Sequence, residues 1–296
     1  MQAIPEDVAG AGGRVPVWQL YGERATFPDH LHCETIVERA AGHDWQIAPH
    51  VHLHLHQFFL LVSGEIRLSL AGAEVAVVPP VMLSVPRGVT HGFRFSAGTE
   101  GYVITLPAEE FPAIFGPESE LAGLLTEPMI RPAGPALIAR GEAMAEAHRR
   151  ARDLRRSILH GEALLLVSAF LTAGQDAAQP DALHRPARPP HLDRFEELMR
   201  QHLRSGWGVA EYAAAIGVSP RHLGRMTQAA YGQPARAVLA AAQIREACRL
   251  LAYTRMPVQQ VGFALGFDDP AYFSRVFGRV TGMTPSAYRG QLDATG

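Results

Sequence analysis

The sequence predicts an α+β protein of several domains, with a β-rich N-terminal part and an all-α C-terminal part. Three observations predict it. Short alternating apolar runs separated by Gly and Pro occupy the first half of the chain. Stretches with an apolar residue every three or four positions occupy the second half. Residues 174–190 lie between them, are rich in Pro, Ala and polar side chains, and lack apolar periodicity, which is typical of a linker.

The N-terminal part, residues 1–135, is predicted to be an antiparallel β-barrel or sandwich. Six strands are expected at residues 58–62, 65–70, 74–78, 81–85, 92–95 and 101–106, with tight turns at 63–64 and 71–72. The chain is 296 residues long, which is enough for this domain and a second one to have separate cores.

Histidines are concentrated just before the first of these strands. A regular strand would place four of them on one face, namely His50, His52, His54 and His56. Such a face is typical of a metal site, of a pocket that hydrogen-bonds an organic ligand, or of a solvated rim. The residues alone leave these alternatives open.

Residues 136–173 are predicted to be a helical region between the β-rich part and the linker. Its candidates for burial are Leu137, Met144, Leu154, Ile158, Leu165 and Val167. Helices with such residues pack on a barrel or pair with a second subunit.

A helix-turn-helix pattern is predicted at residues 257–289, within an all-α domain at 191–296. A short helix is expected to end at Gly266, since glycine permits the backbone of a tight turn. Asp269 is expected to cap the next helix, and Pro270 fits its first position. Four apolar residues then recur at i, i+3, i+4 and i+7 and predict the buried face, namely Phe273, Val276, Phe277 and Val280.

The other face of this helix predicts contact with DNA. Tyr272, Ser274 and Arg275 lie there, and their polar groups suit base edges and phosphates. The charge distribution supports this, because residues 191–296 contain 12 arginines and 8 acidic residues, whereas residues 1–140 contain 8 and 15. The whole chain has a net charge of −2.

The same devices recur about fifty residues upstream, which predicts a second, similar unit. Gly217 is followed by Ser219 as the expected N-cap and by Pro220 at the first helical position. Arg221 and Arg225 lie one turn apart on the outward face. Residues 235–253 lack Gly and Pro and are rich in helix formers, so a connecting helix is expected between the units.

Residues 191–290 resemble the C-terminal DNA-binding domain of the AraC/XylS family of bacterial transcription regulators. The motifs are GVSPRHLGRM, A-x-x-LGFDDPAYFSRVF and G-x-TPSAYR. The resemblance implies two recognition helices in successive major-groove segments of promoter DNA, contact with RNA polymerase, and a homodimer. At the matching positions the DNA contacts are Arg221, His222, Arg225, Asp269, Tyr272, Ser274 and Arg275. Two departures are Gly224, where a contacting side chain is common, and Thr227, where an apolar residue is usual.

Two further motifs resemble those of the cupin barrel. They are HxH(x4)Q(x6)G, starting at residue 50, and PxGxxH, starting at residue 86. In metal-binding cupins the matching positions are the ligands, here His50, His52, Gln57 and His91. Gln57 stands where the family usually has Glu, and a neutral amide is the weaker ligand. We therefore expect no metal cofactor, with a divalent transition metal at these four residues as the alternative.

A narrower resemblance concerns AraC-type activators that respond to 4-hydroxybenzoate or 4-hydroxyphenylacetate. Segments at residues 32–36, 43–45, 91–95 and 99–101 are similar to their sensor. It implies a small aromatic acid as effector, in a pocket of Arg39, Trp45, His50, His52, Gln57 and His91. Its carboxylate needs a cationic fork, and arginine has the best geometry. Arg39 is the first candidate, and an ion pair of Arg39 with Glu34 or Glu38 is the alternative.

Together these patterns predict a cytoplasmic transcription regulator that acts as an activator, is not an enzyme and has no membrane partner. The two cysteines, Cys33 and Cys248, are expected to be reduced. No segment has the length and apolarity of a membrane span or a signal peptide. The alternative is a metal-dependent cupin enzyme tethered to a DNA-binding module, although its motifs offer no Asp or Glu as a general base.

Overall fold

The computed structural model describes residues 31–52, 54–70, 73–151, 153–173 and 190–295, without the side chains of residues 252, 253 and 291–295. Three parts of the sequence-based prediction therefore lie outside the described residues: the first 30 residues of the N-terminal domain, the turn at 71–72, and the linker apart from residue 190.

The β-rich part forms two antiparallel sheets. The five-stranded sheet has the order β1 (His32–Thr35), β8 (Glu100–Pro107), β3 (Leu55–Ser63), β6 (Val81–Val85) and β9 (Met129–Pro132). The four-stranded sheet has the order β2 (Gln46–His50), β7 (His91–Phe95), β4 (Ile66–Leu70) and β5 (Ala73–Val77). The six predicted strands correspond to β3–β8, whereas β1, β2 and β9 were not predicted. The described strands form two sheets and no single closed barrel, so the cupin barrel stays a prediction.

Strand β3 is buried on both faces, and this decides which of its side chains reach the space between the sheets. Phe59 and Leu61 belong to the apolar core between the two sheets. Phe58 and Leu60 point the other way and pack against α3 (Pro135–Arg150) and α4 (Arg155–Thr172). Successive residues of a strand alternate between faces. Odd-numbered residues of β3 therefore face the second sheet, and even-numbered residues face the helices.

The helical region differs from its prediction at three positions. Leu137, Met144 and Val167 are buried in the core that α3 and α4 share with β3, as predicted. Burial was the wrong expectation for Leu154, Ile158 and Leu165, which are exposed, Leu154 by 77%. The reason is that they lie on the face of α4 and its first turn that points away from the core.

The C-terminal part is helical and contains two apolar clusters. Its helices are α5 (Pro190–His202), α6 (Val209–Ile216), α7 (Pro220–Tyr231), α8 (Ala235–Tyr253), α9 (Val258–Ala264), α10 (Pro270–Thr281) and α11 (Pro285–Thr295). Two shorter helices, α1 (Ile36–Ala40) and α2 (Pro112–Phe115), belong to the β-rich part. None of the described helices is long and apolar enough to span a bilayer. Cys33 and Cys248 are free thiols.

Helix α8 belongs to both apolar clusters of the C-terminal part. Val238 and Leu239, near its start, pack with α5, α6 and α7. Leu250 and Leu251, near its end, pack with α9, α10 and α11. One helix therefore fixes the two units relative to each other.

Candidate functional sites

A small cavity lies in the β-rich part, at the side of the core where α1 meets both sheets. It is lined by Arg39, Ile47, His50, Gln57, Phe59, Phe93 and Phe95. Its volume is about 10 Å³, enough for one water molecule. The lining is mostly apolar and aromatic, with a single cationic group.

Three histidines meet next to this cavity. The antiparallel pairing of β2 and β7 puts His50 opposite His91, with a register shift between Ile47 and His50. His52 follows two residues after His50. The ring centroids are 4.4 Å apart for His50 and His91 and 4.8 Å apart for His50 and His52. One nitrogen from each of the three rings lies within 4.8 Å of the others.

Backbone carbonyls fix the tautomers of two of these rings. His50 Nδ1 is 2.8 Å from the Ala48 oxygen, and His91 Nδ1 is 3.0 Å from the Val89 oxygen. A carbonyl oxygen only accepts, so Nδ1 is the protonated nitrogen in both rings. Burial holds the pKa of His50 far below its usual value and lowers the pKa of His91 to about 4. Both rings are therefore neutral at pH 7, with the lone pair on Nε2.

Gln57 of β3 contacts the histidine cluster. Its side-chain oxygen lies 2.8 Å from His91 Nε2, and its nitrogen lies 3.1 Å from the Thr105 hydroxyl. An oxygen next to a lone pair makes no hydrogen bond. We therefore assign the amide the orientation turned by 180°, in which its N–H donates to His91 and the Thr105 hydroxyl donates to its oxygen. Gln57 thus serves as a donor to His91.

The structure divides the four histidines that were expected on one face. Strand β2 ends at His50 and β3 begins at Leu55, and the described residues 52 and 54 between them belong to neither strand, so His50 and His56 do not share one regular strand. His56 lies on the helix side of β3, where it bonds to the Ser84 hydroxyl at 2.8 Å and stacks on Phe58. His54 is buried outside the three-histidine cluster. The prediction of a common face is therefore wrong for His54 and His56.

Arg39 lines the cavity, as predicted for an effector-binding residue, and it also makes an ion pair with Glu34, which was the alternative prediction. Its side chain is almost buried, and its Nη1 lies 3.3 Å from Glu34 Oε1. Glu34 contacts His32 at 3.4 Å through its other oxygen. Trp45 is not in the lining and packs against the core between the sheets. Arg94 is exposed, while its neighbours Phe93 and Phe95 line the cavity.

The first of the two predicted helix-turn-helix units is formed by α6 and α7. Gly217 ends α6 with a φ of +76°, and the Ser219 hydroxyl accepts from the His222 N–H at 3.1 Å. Arg221 and Arg225 are exposed, and Arg225 donates to His222 Nδ1 at 3.2 Å.

Thr227, the polar departure in α7, is fully buried. Its hydroxyl donates to the Gly224 carbonyl at 3.1 Å. A satisfied hydroxyl carries no large desolvation cost, so the helix tolerates it at an apolar position.

The second unit is formed by α9 and α10. Gly266 has a φ of +78°, and a Cβ there would lie 2.4 Å from the Gly206 Cα in the loop before α6. The Asp269 carboxylate accepts from the N–H groups of Ala271 and Tyr272 at 2.8 and 3.1 Å. Tyr272 is 38% exposed, whereas Phe273 is fully buried.

Two of the predicted contact residues of α10 also bind to their own helix. The Asp269 carboxylate, besides capping α10, lies 3.7 Å from Arg275 Nη2. The Ser274 hydroxyl donates to the Pro270 carbonyl at 2.9 Å. The Arg275 guanidinium lies 5.8 Å from the centre of the Tyr272 ring. These contacts restrict where Arg275 can point.

Comparison with known proteins identifies the C-terminal part. Residues 212–291 match the family model of a helix-turn-helix domain. The chain is 37% identical over 109 residues to the MmsAB operon regulatory protein of Pseudomonas aeruginosa, covering 36% of each chain. It is 34% identical over 113 residues to the arabinose operon regulatory protein of Escherichia coli, covering 37% of this chain and 39% of the relative. The C-terminal domain is a helix-turn-helix domain of the AraC type.

The chain therefore spans less than two fifths of the length of these two relatives. Both relatives are regulatory proteins by name.

Solved structures are similar at low TM-scores. An AraC-type regulator from Chromobacterium violaceum is 26% identical, with a TM-score of 0.34, and covers 36% of this chain and 96% of that one. Fatty-acid-bound ToxT from Vibrio cholerae is 12% identical, with a TM-score of 0.42, and covers 90% of this chain and 95% of that one.

An exposed contact that the sequence did not indicate lies at the start of α8. Arg236, at the start of α8, donates to the Tyr272 hydroxyl at 2.9 Å. It joins the connecting helix to the second recognition helix. Sequence reasoning treated residues 235–253 only as a connecting helix. The sequence feature that could have indicated Arg236 is that it is the single charged residue in the otherwise apolar first turn of this helix.

Proposed function

We propose that this chain is a sequence-specific DNA-binding transcription regulator whose N-terminal domain responds to a small ligand. The observation that carries the proposal is the pair of AraC-type units held on α8, each with an exposed arginine at the same position, Arg225 and Arg275. Promoter DNA is the proposed partner, and α7 and α10 are the helices that enter successive major-groove segments.

The proposed DNA contacts are the seven residues with matching positions in the family. Arg221, His222 and Arg225 of the first unit suit phosphates and base edges, because guanidinium and imidazole N–H groups donate to both. In the second unit Asp269, Tyr272 and Arg275 are exposed, and Ser274 is partly buried. Asp269 and Ser274 act mainly through their own helix, since both already bond to its backbone.

The proposed effector is a small aromatic acid, with Arg39 as the partner of its carboxylate. Phe59, Phe93 and Phe95 supply aromatic walls next to this guanidinium. The cavity has room for one water, so an aromatic ring enters only if side chains at its edge move. Glu34 already occupies one side of Arg39, and a bound carboxylate competes with it.

A homodimer that recruits RNA polymerase is the proposed active form, and the support for the homodimer is α4. Leu154, Ile158 and Leu165 recur with spacings of four and seven residues and are exposed. An exposed apolar stripe of this kind is suited to pairing with a second copy.

The histidine cluster favours a second candidate, a metal-dependent cupin enzyme tethered to the DNA-binding domain. Three imidazoles fit a divalent transition metal, and Nδ1–H bonds to carbonyls are the usual support of ligating histidines. Such a metal would act as a Lewis acid. Two observations favour the regulator: the Gln57 amide already lies 2.8 Å from His91 Nε2, and the described cluster contains no carboxylate for charge balance or proton transfer.

Footprinting on the promoter next to the gene, with and without hydroxylated benzoates and phenylacetates, tests the proposal. Protection of two adjacent major-groove segments is expected, with a pattern that changes when the effector is added. Absence of protection on every duplex would contradict DNA-binding regulation.

The metal candidate has its own test, elemental analysis of dialysed protein. Close to one transition metal per chain, lost together with the effector response in His52→Ala, supports the metal. An effector response that persists after chelator treatment supports a pocket for an organic ligand.

A further inference from the structure

We infer that Arg236 binds a DNA phosphate between the two helix-turn-helix units, and that Tyr272 holds its guanidinium in place for this contact. The inference rests on the proposed DNA-binding function and adds a contact to it. The partner is the sugar–phosphate backbone of duplex DNA, whatever its sequence.

The position of Arg236 is the first argument. Arg236 is exposed and lies in the first turn of α8, and its Nη2 donates to the Tyr272 hydroxyl at 2.9 Å. Tyr272 lies in the first turn of α10, the second recognition helix. A recognition helix meets base edges with its N-terminal residues, and phosphates border the groove on both sides. A guanidinium tied to this first turn is therefore placed beside the backbone.

The second argument is charge. Arg275 also lies against the Tyr272 ring, so two guanidinium groups share one exposed tyrosine. Asp269 partly balances Arg275, at 3.7 Å. Within the described part of the chain, no carboxylate lies within 4.0 Å of the Arg236 guanidinium. By contrast, Arg200 on α5 pairs with Glu197. Among the described residues Arg236 thus adds a positive charge without an acidic partner beside a like charge, and an anion relieves this repulsion.

The third argument is the number of donors. A guanidinium has five N–H groups, and the bond to Tyr272 uses one of them. The remaining groups are available to the two unesterified oxygens of a phosphate, which match the arginine fork. The tyrosine bond also orders a long side chain before DNA arrives, so less entropy is lost on binding.

Salt dependence of binding tests this contact, because a lost phosphate contact lowers the slope of log K against log salt. The full chain is titrated onto a fluorescein-labelled 30-base-pair duplex of arbitrary sequence between about 50 and 200 mM NaCl. For Arg236→Ala the slope should fall by about 0.9, and the affinity should fall about eightfold at 0.1 M salt. Arg200→Ala, which removes a balanced arginine of the same domain, should keep the wild-type slope.

Two further variants separate the phosphate contact from a structural role. Arg236→Lys retains the charge and should keep most of the slope. In a Tyr272→Phe background, Arg236→Ala should cost less affinity than it does in the wild type, because the guanidinium is no longer held.

Two outcomes overturn the inference, and they differ. If wild-type protein binds and Arg236→Ala has the same slope as Arg200→Ala, the phosphate contact is wrong while the proposed function stands. If the wild-type chain binds no duplex at any salt concentration, the proposed function fails and the inference fails with it.

Discussion

The two helix-turn-helix units use the same backbone devices but arrange their charges differently. Each has a glycine at φ near +77° in the turn, a side-chain N-cap, and proline at the first position of the recognition helix. In the first unit, Arg221 and Arg225 have no carboxylate within 4.0 Å in the described part of the chain. In the second unit, Arg275 is close to both the Asp269 carboxylate and the Tyr272 ring.

This difference in charge arrangement predicts that the two units contribute differently to DNA binding. Long, exposed arginines without acidic partners adapt to phosphates and to more than one base. An arginine restricted by an N-cap carboxylate and an aromatic ring is presented in fewer orientations, which favours reading one base pair. We therefore expect the first unit to contribute more to general affinity and the second unit more to sequence discrimination.

The largest expected effect concerns one core position that differs between the units. Phe277 is fully buried against Phe273 and Tyr288, and Phe277→Ala should lower the free energy of unfolding by about 3–5 kcal/mol. At the equivalent position of the first unit, Thr227→Ala should cost about 1 kcal/mol, because less apolar volume is lost. Urea unfolding of the full chain measures both. Equal losses would contradict a difference in packing between the units.

The next prediction compares two glycine substitutions, one that costs stability only through its backbone conformation and one that also causes a steric collision. Gly266→Ala should cost about 3 kcal/mol, because a left-handed backbone and a collision with Gly206 both oppose the new Cβ. Gly217→Ala should cost only about 1 kcal/mol, since nothing lies within 4 Å of a Cβ at the same kind of turn. Unfolding midpoints that shift equally in the two variants would show that the contact between residues 206 and 266 is not tight.

A third comparison concerns DNA. Arg225→Ala and Arg275→Ala should each weaken binding to a site selected with the wild-type protein by about 1–3 kcal/mol. Arg225→Ala should also weaken binding to random duplex, whereas Arg275→Ala should mainly reduce discrimination between the two. Anisotropy titrations at one fixed salt concentration measure this. Wild-type affinity for the selected site in both variants would rule out the recognition faces assigned here.

The smallest expected effect concerns the caps. Ser219→Ala should cost about 1 kcal/mol of stability, because the His222 N–H loses its acceptor. Asp269→Asn should cost less, since an asparagine oxygen still caps α10. The asparagine removes the charge that holds Arg275, so it should reduce sequence discrimination while barely changing the melting temperature. If Asp269→Asn leaves discrimination unchanged, Asp269 does not position Arg275.

Local signals account for what the sequence predicted well. Gly, the capping residue and Pro fix the start of a helix within four residues, so both recognition helices were expected where α7 and α10 begin. Strands β3–β8 were also predicted, because apolar alternation bounded by turn residues is itself a local pattern.

Tertiary structure accounts for the errors. The prediction of a common histidine face was wrong because β2 ends at His50 and a new strand, β3, begins at Leu55. His56 therefore lies on the side of β3 that faces the helices. Leu154 and Ile158 were expected to be buried, but an apolar stripe does not say whether its partner lies within the same chain. Arg236 was missed because its contact is with a residue 36 positions away in the sequence, on another helix.

Helix α8 has a consequence for the DNA as well as for the protein. Because its two ends are built into the cores of the two units, the distance and angle between α7 and α10 are set before DNA is met. Each added base pair turns the double helix by about 35°. One base pair inserted between the two contacted segments therefore rotates the second segment away from α10, and a rigid connecting helix offers no compensating twist. The spacing between the two segments is thus part of the recognised site, because α8 fixes the distance between the two recognition helices.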